Sequence, residues 1–357
     1  MKNLRALVVL DERWNSALTD LGFKVALSLS RECNVSIAAI RDFPAWRRAK
    51  KEGIPLLEIA DPRKGLSLKP FLTFKRSLEK FKPNLVVTIR GDEMLFGALL
   101  KKSFGYRLFR IHGNARGVRN SLLNRFIHRK FVDGVIVSTK KFINSVISSV
   151  PKLTIHGIVD TNMFSFSESG KRAFRKRLKV GERKLIGVVG RLDPVKGHRL
   201  LLRAISKLRR DDFVLAVVGE EKNTKLSELK ELSKKLNISD RVIFIGNRIE
   251  RISDFMSACD LAVVPSVGSE VVVRAPLEFM ACKTAVVSTN VGALPEVIRP
   301  PFGVAVEPDE KKLSSAINRF LDVDLEKLGE LAREVAVEKY SFSSLSPVIN
   351  SFILDRV

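Results

Sequence analysis

The sequence predicts an α/β protein made of two doubly wound parallel-sheet domains, and three observations carry that prediction. Short β-branched runs alternate with helix-length amphipathic segments almost throughout, the pattern of parallel strands covered by helices. A polar and basic stretch, DTNMFSFSESGKRAFRKRLKVGERK at 160–184, interrupts the alternation, which then restarts. The chain has 357 residues. One core stops growing at roughly 250–300 residues, so two domains are the default.

In the first half the strands are predicted at 4–10 (LRALVVL), 24–29 (KVALSL), 35–40 (VSIAAI), 84–89 (NLVVTI), 107–111 (RLFRI) and 134–138 (GVIVS). Each is a short apolar run of strand length. The second half repeats the pattern at 185–190 (LIGVVG), 213–219 (FVLAVVG), 242–246 (VIFIG), 261–265 (LAVVP) and 284–288 (TAVVS), and from about Asp309 it turns helical to the end. The expected division is a first domain at 1–160, a connector at 161–184, a second domain at 185–340, and a C-terminal helix at 341–357 packing back on the first domain.

Apolar residues make up 45% of the chain and charged ones 29%, enough to bury both cores. No apolar run reaches the ~18 residues of a membrane span, and residues 1–10 lead straight into the first strand. A cytoplasmic chain without a signal peptide is therefore expected. Cys33, Cys259 and Cys282 lie far apart and form neither a CxxC pair nor a disulfide framework, which fits a reducing compartment. Lys and Arg outnumber Asp and Glu by 63 to 39, and residues 1–165 hold 30 of the basic but only 13 of the acidic side chains. The absence of glutamine, together with abundant charge, resembles a thermophile's composition. Ion-pair networks need both signs, however, and do not explain the excess. A basic first half calls for an anionic partner: nucleic acid, a phospholipid surface or a phosphorylated substrate. A generally basic proteome would produce the same excess.

Ligands of doubly wound sheets bind outside the carboxyl ends of the strands, and the second-half strand ends carry the informative residues. After LIGVVG comes RLDPVKG, so Arg191 leaves a strand end and Lys196 precedes a helix starting near Gly197. Two cations five apart on one strand-to-helix loop suit a diphosphate; a solvated basic loop reads the same way. GxxxxGK[ST] does not occur, and no GxGxxG follows a strand.

After LAVVP, the stretch GSEVVVRAPLE at 268–278 sets Glu270 and Glu278 eight apart. Pro276 suits the first position of a helix, making Glu278 the third, where the dipole favours a carboxylate. Ala275 would then be the cap, with no oxygen to complete a capping box. Glu278 would accept both hydroxyls of a ribose, as acids do in other nucleotide folds, and Glu270 would reach whatever the diphosphate carries. Eight residues at helical rise span ~12 Å, too far for a tight acid/base pair.

These residues resemble glycosyltransferase family 4, whose fold is GT-B, two Rossmann-like domains facing across a cleft. The motifs that carry the resemblance are VVGRLDPVKG (188–197), FIGN (244–247), ACDLAVVPS (258–266), the E-x7-E pair followed by FMACKTAVVS, and VGALPEVI (291–298). HGIVDTNMF (156–164) is similar to the family's linker element. The second domain is covered almost completely; the first matches only through RIHGN (110–114) and DGVIVST (133–139). The resemblance implies a nucleotide-sugar donor, transfer with retention of configuration, and no essential metal or other cofactor. It implies that Arg191 and Lys196 hold the diphosphate, Glu278 the ribose and Glu270 the transferred sugar, with His112 contacting that sugar from across the cleft. Taken alone, His112 is a strand-end histidine like any other. Asn247 to Ile249 would read the base through backbone groups, and Val272 and Val273 would line the donor site; Arg274 is extra to the family's pattern and would either face the donor phosphate or be solvated.

The chain departs from the family in two places. The Gly-rich turn expected after the first strand is LDERWN (10–15), where Arg13 would supply a side-chain contact instead, and Glu-Gly-Phe-Gly is replaced by Glu270 and three valines. The second variant is similar to a subgroup associated with lipopolysaccharide assembly. Asp322-Val-Asp324 matches a DxD motif but sits between late helices, and four scattered histidines offer no zinc spacing.

The leading expectation is a retaining glycosyltransferase acting on a glycan or lipid-linked acceptor as a peripheral membrane protein at the inner face of the cytoplasmic membrane. A nucleotide-sugar epimerase of related architecture, and a non-enzymatic binder of nucleic acid or anionic surfaces, stand as alternatives. Intact Arg191, Lys196, Glu270 and Glu278 argue against the binder. AWRRAKK (45–51) and KPFLTFKRSLEKFK (69–82) interleave aromatic, aliphatic and cationic residues as an interfacial segment does; surface helices with their apolar side toward the core read the same way.

Overall fold

Strands covered on both faces are apolar at every position, and β1 (Arg5–Leu10) shows this, with all five residues after Arg5 fully buried. The computed structural model describes residues 4–14, 16–61, 68–113, 118, 121–143, 150–246, 249–268 and 270–357. They divide into two units: Met1–Ile158 with Phe342–Val357, and Val159–Ser341.

In unit 1, β1 is joined by β2 (Asn34–Ala39), β3 (Leu56–Glu58), β4 (Leu85–Thr88), β5 (Arg107–His112), β6 (Gly134–Val137) and β7 (Lys152–Thr154) in a parallel sheet of order β3-β2-β1-β4-β5-β6-β7. The connecting helices are α1 (Ala17–Leu29), α2 (Pro44–Lys51), α3 (Lys69–Phe81), α4 (Gly91–Phe104) and α5 (Leu122–Phe131). The chain order reverses between β1 and β4, which makes their carboxyl ends this unit's crevice.

Unit 2 begins with α6 (Glu168–Arg177). Its sheet contains β8 (Lys184–Val189), β9 (Phe213–Val218), β10 (Val242–Ile245), β11 (Leu261–Val264), β12 (Ala285–Thr289) and β13 (Gly303–Val306), in the parallel order β10-β9-β8-β11-β12-β13. It is covered by α7 (His198–Ser206), α8 (Leu226–Lys235), α9 (Ile252–Ala258), α10 (Ala275–Ala281), α11 (Leu294–Val297), α12 (Glu310–Leu321) and α13 (Leu325–Tyr340). Here the reversal falls between β8 and β11. The last helix, α14 (Phe342–Leu354), belongs to unit 1.

Three local expectations change. KVALSL at 24–29 is the second half of α1, not a strand: Ser16 caps the helix by accepting from Thr19 N at 2.9 Å. Helix α1 is covered by the sheet and by α14, where Ser28 Oγ donates to Asn350 Oδ1 at 2.8 Å. Burial on two sides removes the polar stripe by which a surface helix is recognised. The stretch 161–184, read as a connector, carries α6, whose Phe174 enters the core of unit 2 against Phe255. Three short strands, β3, β7 and β13, were not predicted, being only three or four residues long.

The amphipathic segments 45–51 and 69–82 form α2 and α3, and their small or apolar faces point inward through Ala45, Ala49, Phe74 and Leu78. By contrast α5 leaves Leu122 (85%), Leu123 (65%) and Phe126 (54%) exposed.

Candidate active site

The β8 and β11 ends of unit 2 flank the reversal in its sheet, and the loop after β8 is shaped to hold Lys196 there. Asp193 accepts from Val195 N at 3.2 Å and from Asn223 Nδ2 at 2.8 Å, fixing a 3-10 turn at Pro194–Lys196. Gly197 follows with φ +69°, and a Cβ there would lie 1.8 Å from the Pro265 carbonyl oxygen. Only glycine permits both that backbone and that approach. The loops after β8 and β11 therefore touch, and Val267 N donates to Val195 O at 2.9 Å. Arg191 is exposed, and its side chain makes no hydrogen bond or ion pair among the described residues.

Glu270 is only 6% exposed. Its Oε1 accepts from Lys196 Nζ and from Ser266 Oγ, the latter at 2.6 Å. Its backbone is fixed as well: Ala293 N donates to Glu270 O at 2.7 Å. Gly292, at φ +61°, packs so closely that a Cβ would lie 2.0 Å from that oxygen. Loops following β8, β11 and β12 thus converge on one residue, Glu270, the first two at its carboxylate and the last at its backbone carbonyl.

Glu278 sits in the first turn of α10, but Arg274, not Ala275, is the cap residue. Glu278 is therefore the fourth helical position, because the chain enters the helix one residue earlier than Pro276 alone indicates. Arg274 Nε lies 3.7 Å from Glu278 Oε1. Of the other expected donor-site residues, Ile249 is half-buried against the core and Asn247 lies outside the described residues. Val272 is buried. Val273 is 0% exposed, packed within the apolar core, and has no surface to offer a ligand.

His112 ends β5 in unit 1 and is 2% exposed. Burial, reinforced by the charges of Arg110 and His128, pushes its pKa down to about 3, so the imidazole is neutral at physiological pH. His128 Nδ1 lies 2.7 Å from Asn124 O, and donating there leaves Nε2 to accept from Arg110 Nη1 at 2.8 Å. Buried Glu93 is held well above the usual carboxylate range by burial and by Asp11. Arg13, expected to face phosphate, is ion-paired with buried Asp61 inside unit 1. Asp322 pairs with Arg210 at 2.7 Å and Asp324 caps α13, so the DxD pair is occupied structurally.

Sequence reasoning missed Ser266, which orients Glu270, and His198, whose buried ring nitrogens find no hydrogen-bond partner among the described residues. His198 follows Lys196 by two, and burial, with Lys196 nearby, lowers its pKa to about 4. Its place in VKGH was the only signal available.

The profile of the family described as "Glycosyl transferases group 1" matches residues 170–335, the span that builds this site. The lipopolysaccharide core biosynthesis mannosyltransferase LpsB of Rhizobium meliloti (strain 1021) is 31% identical over 244 residues, covering 65% of this chain and 68% of that protein. The lipopolysaccharide 1,2-N-acetylglucosaminetransferase of Salmonella typhimurium is 28% identical over 169 residues, 44% of each chain. HepE of Anabaena, solved with UDP, superposes with a TM-score of 0.84 over 99% of this chain and 100% of that one at 18% identity, a likeness of fold. The two parallel-sheet units make the two-domain, Rossmann-like GT-B fold, and the chain belongs to the group 1 glycosyl transferases.

Proposed function

We propose that this chain transfers a sugar, with retention of configuration, from a nucleoside-diphosphate donor to a lipid-linked glycan of the lipopolysaccharide type. The observation that carries the reading is the convergence of Lys196 and Glu270 where β8 and β11 diverge. Breaking the anomeric C–O bond sends its electron pair to the diphosphate, and the charge developing there is met by Arg191 and Lys196. The reading therefore calls for no metal. Glu270, with its backbone fixed by Ala293, accepts from hydroxyls of the transferred sugar, and Glu278 from the ribose. Relatives named for lipopolysaccharide synthesis support the acceptor class, and the UDP in the Anabaena complex supports the donor class.

The place of work in this reading is the inner face of the cytoplasmic membrane. No helix among the described residues is long and apolar enough to cross a membrane. The surface that supports attachment is α5: exposed Leu122, Leu123 and Phe126 stand beside Arg125, Arg129 and Lys130. Apolar side chains mixed with cations suit an anionic interface.

A thermal-shift panel of UDP, GDP, ADP and CMP, followed by the matching nucleotide sugars with NMR of the product's anomeric proton, tests the proposal. A ligand at 100 times its Kd stabilises by ~2.7 kcal/mol. Epimerised or hydrolysed donor without transfer, or an inverted product, would overturn it.

A further inference from the structure

Unit 1 also holds a cavity of about 660 Å3, lined by α2, α3 and the short edge strand β3. Phe43, Trp46, Leu57 and Ile59 give it an apolar wall, and Arg76 and Lys80 stand on α3 at its rim. These two cations are four apart and so share one helix face, where like charges repel. No acidic group compensates either of them among the described residues, whereas the neighbouring Lys75 pairs with Glu79 at 3.5 Å. The acids lining the cavity are paired with other cations: Glu58 with Arg41, itself a lining residue, at 3.5 Å, and Asp61 with Arg13. The uncompensated charge at this cavity is therefore positive.

From this charge and shape we infer that the cavity binds a phosphate monoester carrying an apolar chain. The volume is that of a small-molecule site, and the lining joins an apolar wall to a polar, charged side. A bare anion would leave the wall of Trp46 and Ile59 unused. A neutral hydrocarbon would leave Arg76 and Lys80 facing each other without a counter-charge. The Arg76 guanidinium and the Lys80 ammonium take the phosphate oxygens, and the chain lies along the aromatic wall. All of these residues belong to unit 1, so the inference does not depend on the donor site assigned to unit 2.

The test titrates the full-length protein with decyl phosphate below its micelle concentration, following tryptophan emission. Binding should be saturable, with a signal that persists in Trp14→Phe and disappears in Trp46→Phe. The Arg76→Ser/Lys80→Ser variant should bind at least tenfold more weakly, as should decanol and inorganic phosphate with the parent protein. Both substituted side chains are exposed, and unchanged UDP binding checks that the variant is folded. Sedimentation with phosphatidylcholine vesicles containing phosphatidate that decyl phosphate competes away assigns the natural ligand to a membrane; decyl phosphate binding without such sedimentation assigns it to a soluble phosphoester. Absence of saturable binding, equal affinity in the double variant, or inorganic phosphate binding as tightly as decyl phosphate would overturn the inference.

Discussion

Lys196 donates to Glu270 through the same carboxylate oxygen that accepts the Ser266 hydroxyl at 2.6 Å. The cation assigned to the diphosphate and the acid assigned to the sugar are thus one hydrogen-bonded unit. Any donor that occupies the site must share or replace that ion pair, so the two residues are separable by experiment only through different readouts.

Lys196→Ala should weaken nucleoside-diphosphate binding tenfold or more, about 1.4 kcal/mol. Glu270→Gln should leave that affinity within a few-fold while turnover falls at least a hundredfold. Calorimetry with the free nucleotide and a turnover assay with its sugar decide this; equal losses of nucleotide binding in both variants would place Glu270 on the nucleotide instead.

Glu278 is assigned to the ribose, and a deoxyribose analogue tests that directly. The parent protein should bind the 2′-deoxynucleotide at least tenfold less tightly, a loss of about 1.5–3 kcal/mol for a hydrogen bond to a charged group. Glu278→Ala should bind both nucleotides equally poorly. Discrimination that survives in the variant would assign the ribose to another group.

Gly292→Ala forces a methyl to within 2.0 Å of the Glu270 carbonyl oxygen at a φ of +61°. The expected cost is more than about 1 kcal/mol of stability, with turnover falling because the backbone that carries Glu270 must move. Urea unfolding and kcat measured on the same preparation check it. Unaltered kcat would show that the 291–298 loop does not position Glu270.

His112 and His198 have pKa values near 3 and 4, both depressed chiefly by burial. The folded chain therefore excludes protons that the unfolded chain binds below pH ~6.5. That contribution is fully present above pH ~6.5 and is lost as pH falls toward 4 and 3, by up to about 1.4 kcal/mol per pH unit for each histidine. Urea unfolding between pH 7.5 and 5 should show this slope, and His198→Asn should reduce it. An identical slope in the variant would remove His198 from the account.

Attachment through α5 should be salt-sensitive. Replacing Leu122, Leu123 and Phe126 with Ser should reduce sedimentation with anionic vesicles several-fold without lowering the melting temperature, since these side chains are exposed. Replacing Arg47, Lys50 and Lys51 of α2 should have the smaller effect, because the small face of that helix is turned inward. The reverse ranking would return the interface to α2.

The sequence by itself determined every strand of unit 2 except β13, and it placed Arg191, Lys196, Glu270 and Glu278 on the loops and the helix that follow two of those strands. Buried parallel strands must be apolar throughout, and charges placed at their carboxyl ends stand out against such runs. Only the tertiary structure decided that KVALSL is helical, because the cover of the sheet and α14 removes the periodicity that local reading depends on. It alone showed that α2 and α3 bury Ala45, Ala49, Phe74 and Leu78 while α5, which buries Ile127, leaves Leu122, Leu123 and Phe126 exposed, since an amphipathic pattern does not say what lies against it. It alone joined Lys196 to Glu270 across 74 residues. That contact exists because β8 neighbours β11 in the sheet, and strand order is a property of the whole domain's packing, which no single segment of sequence carries.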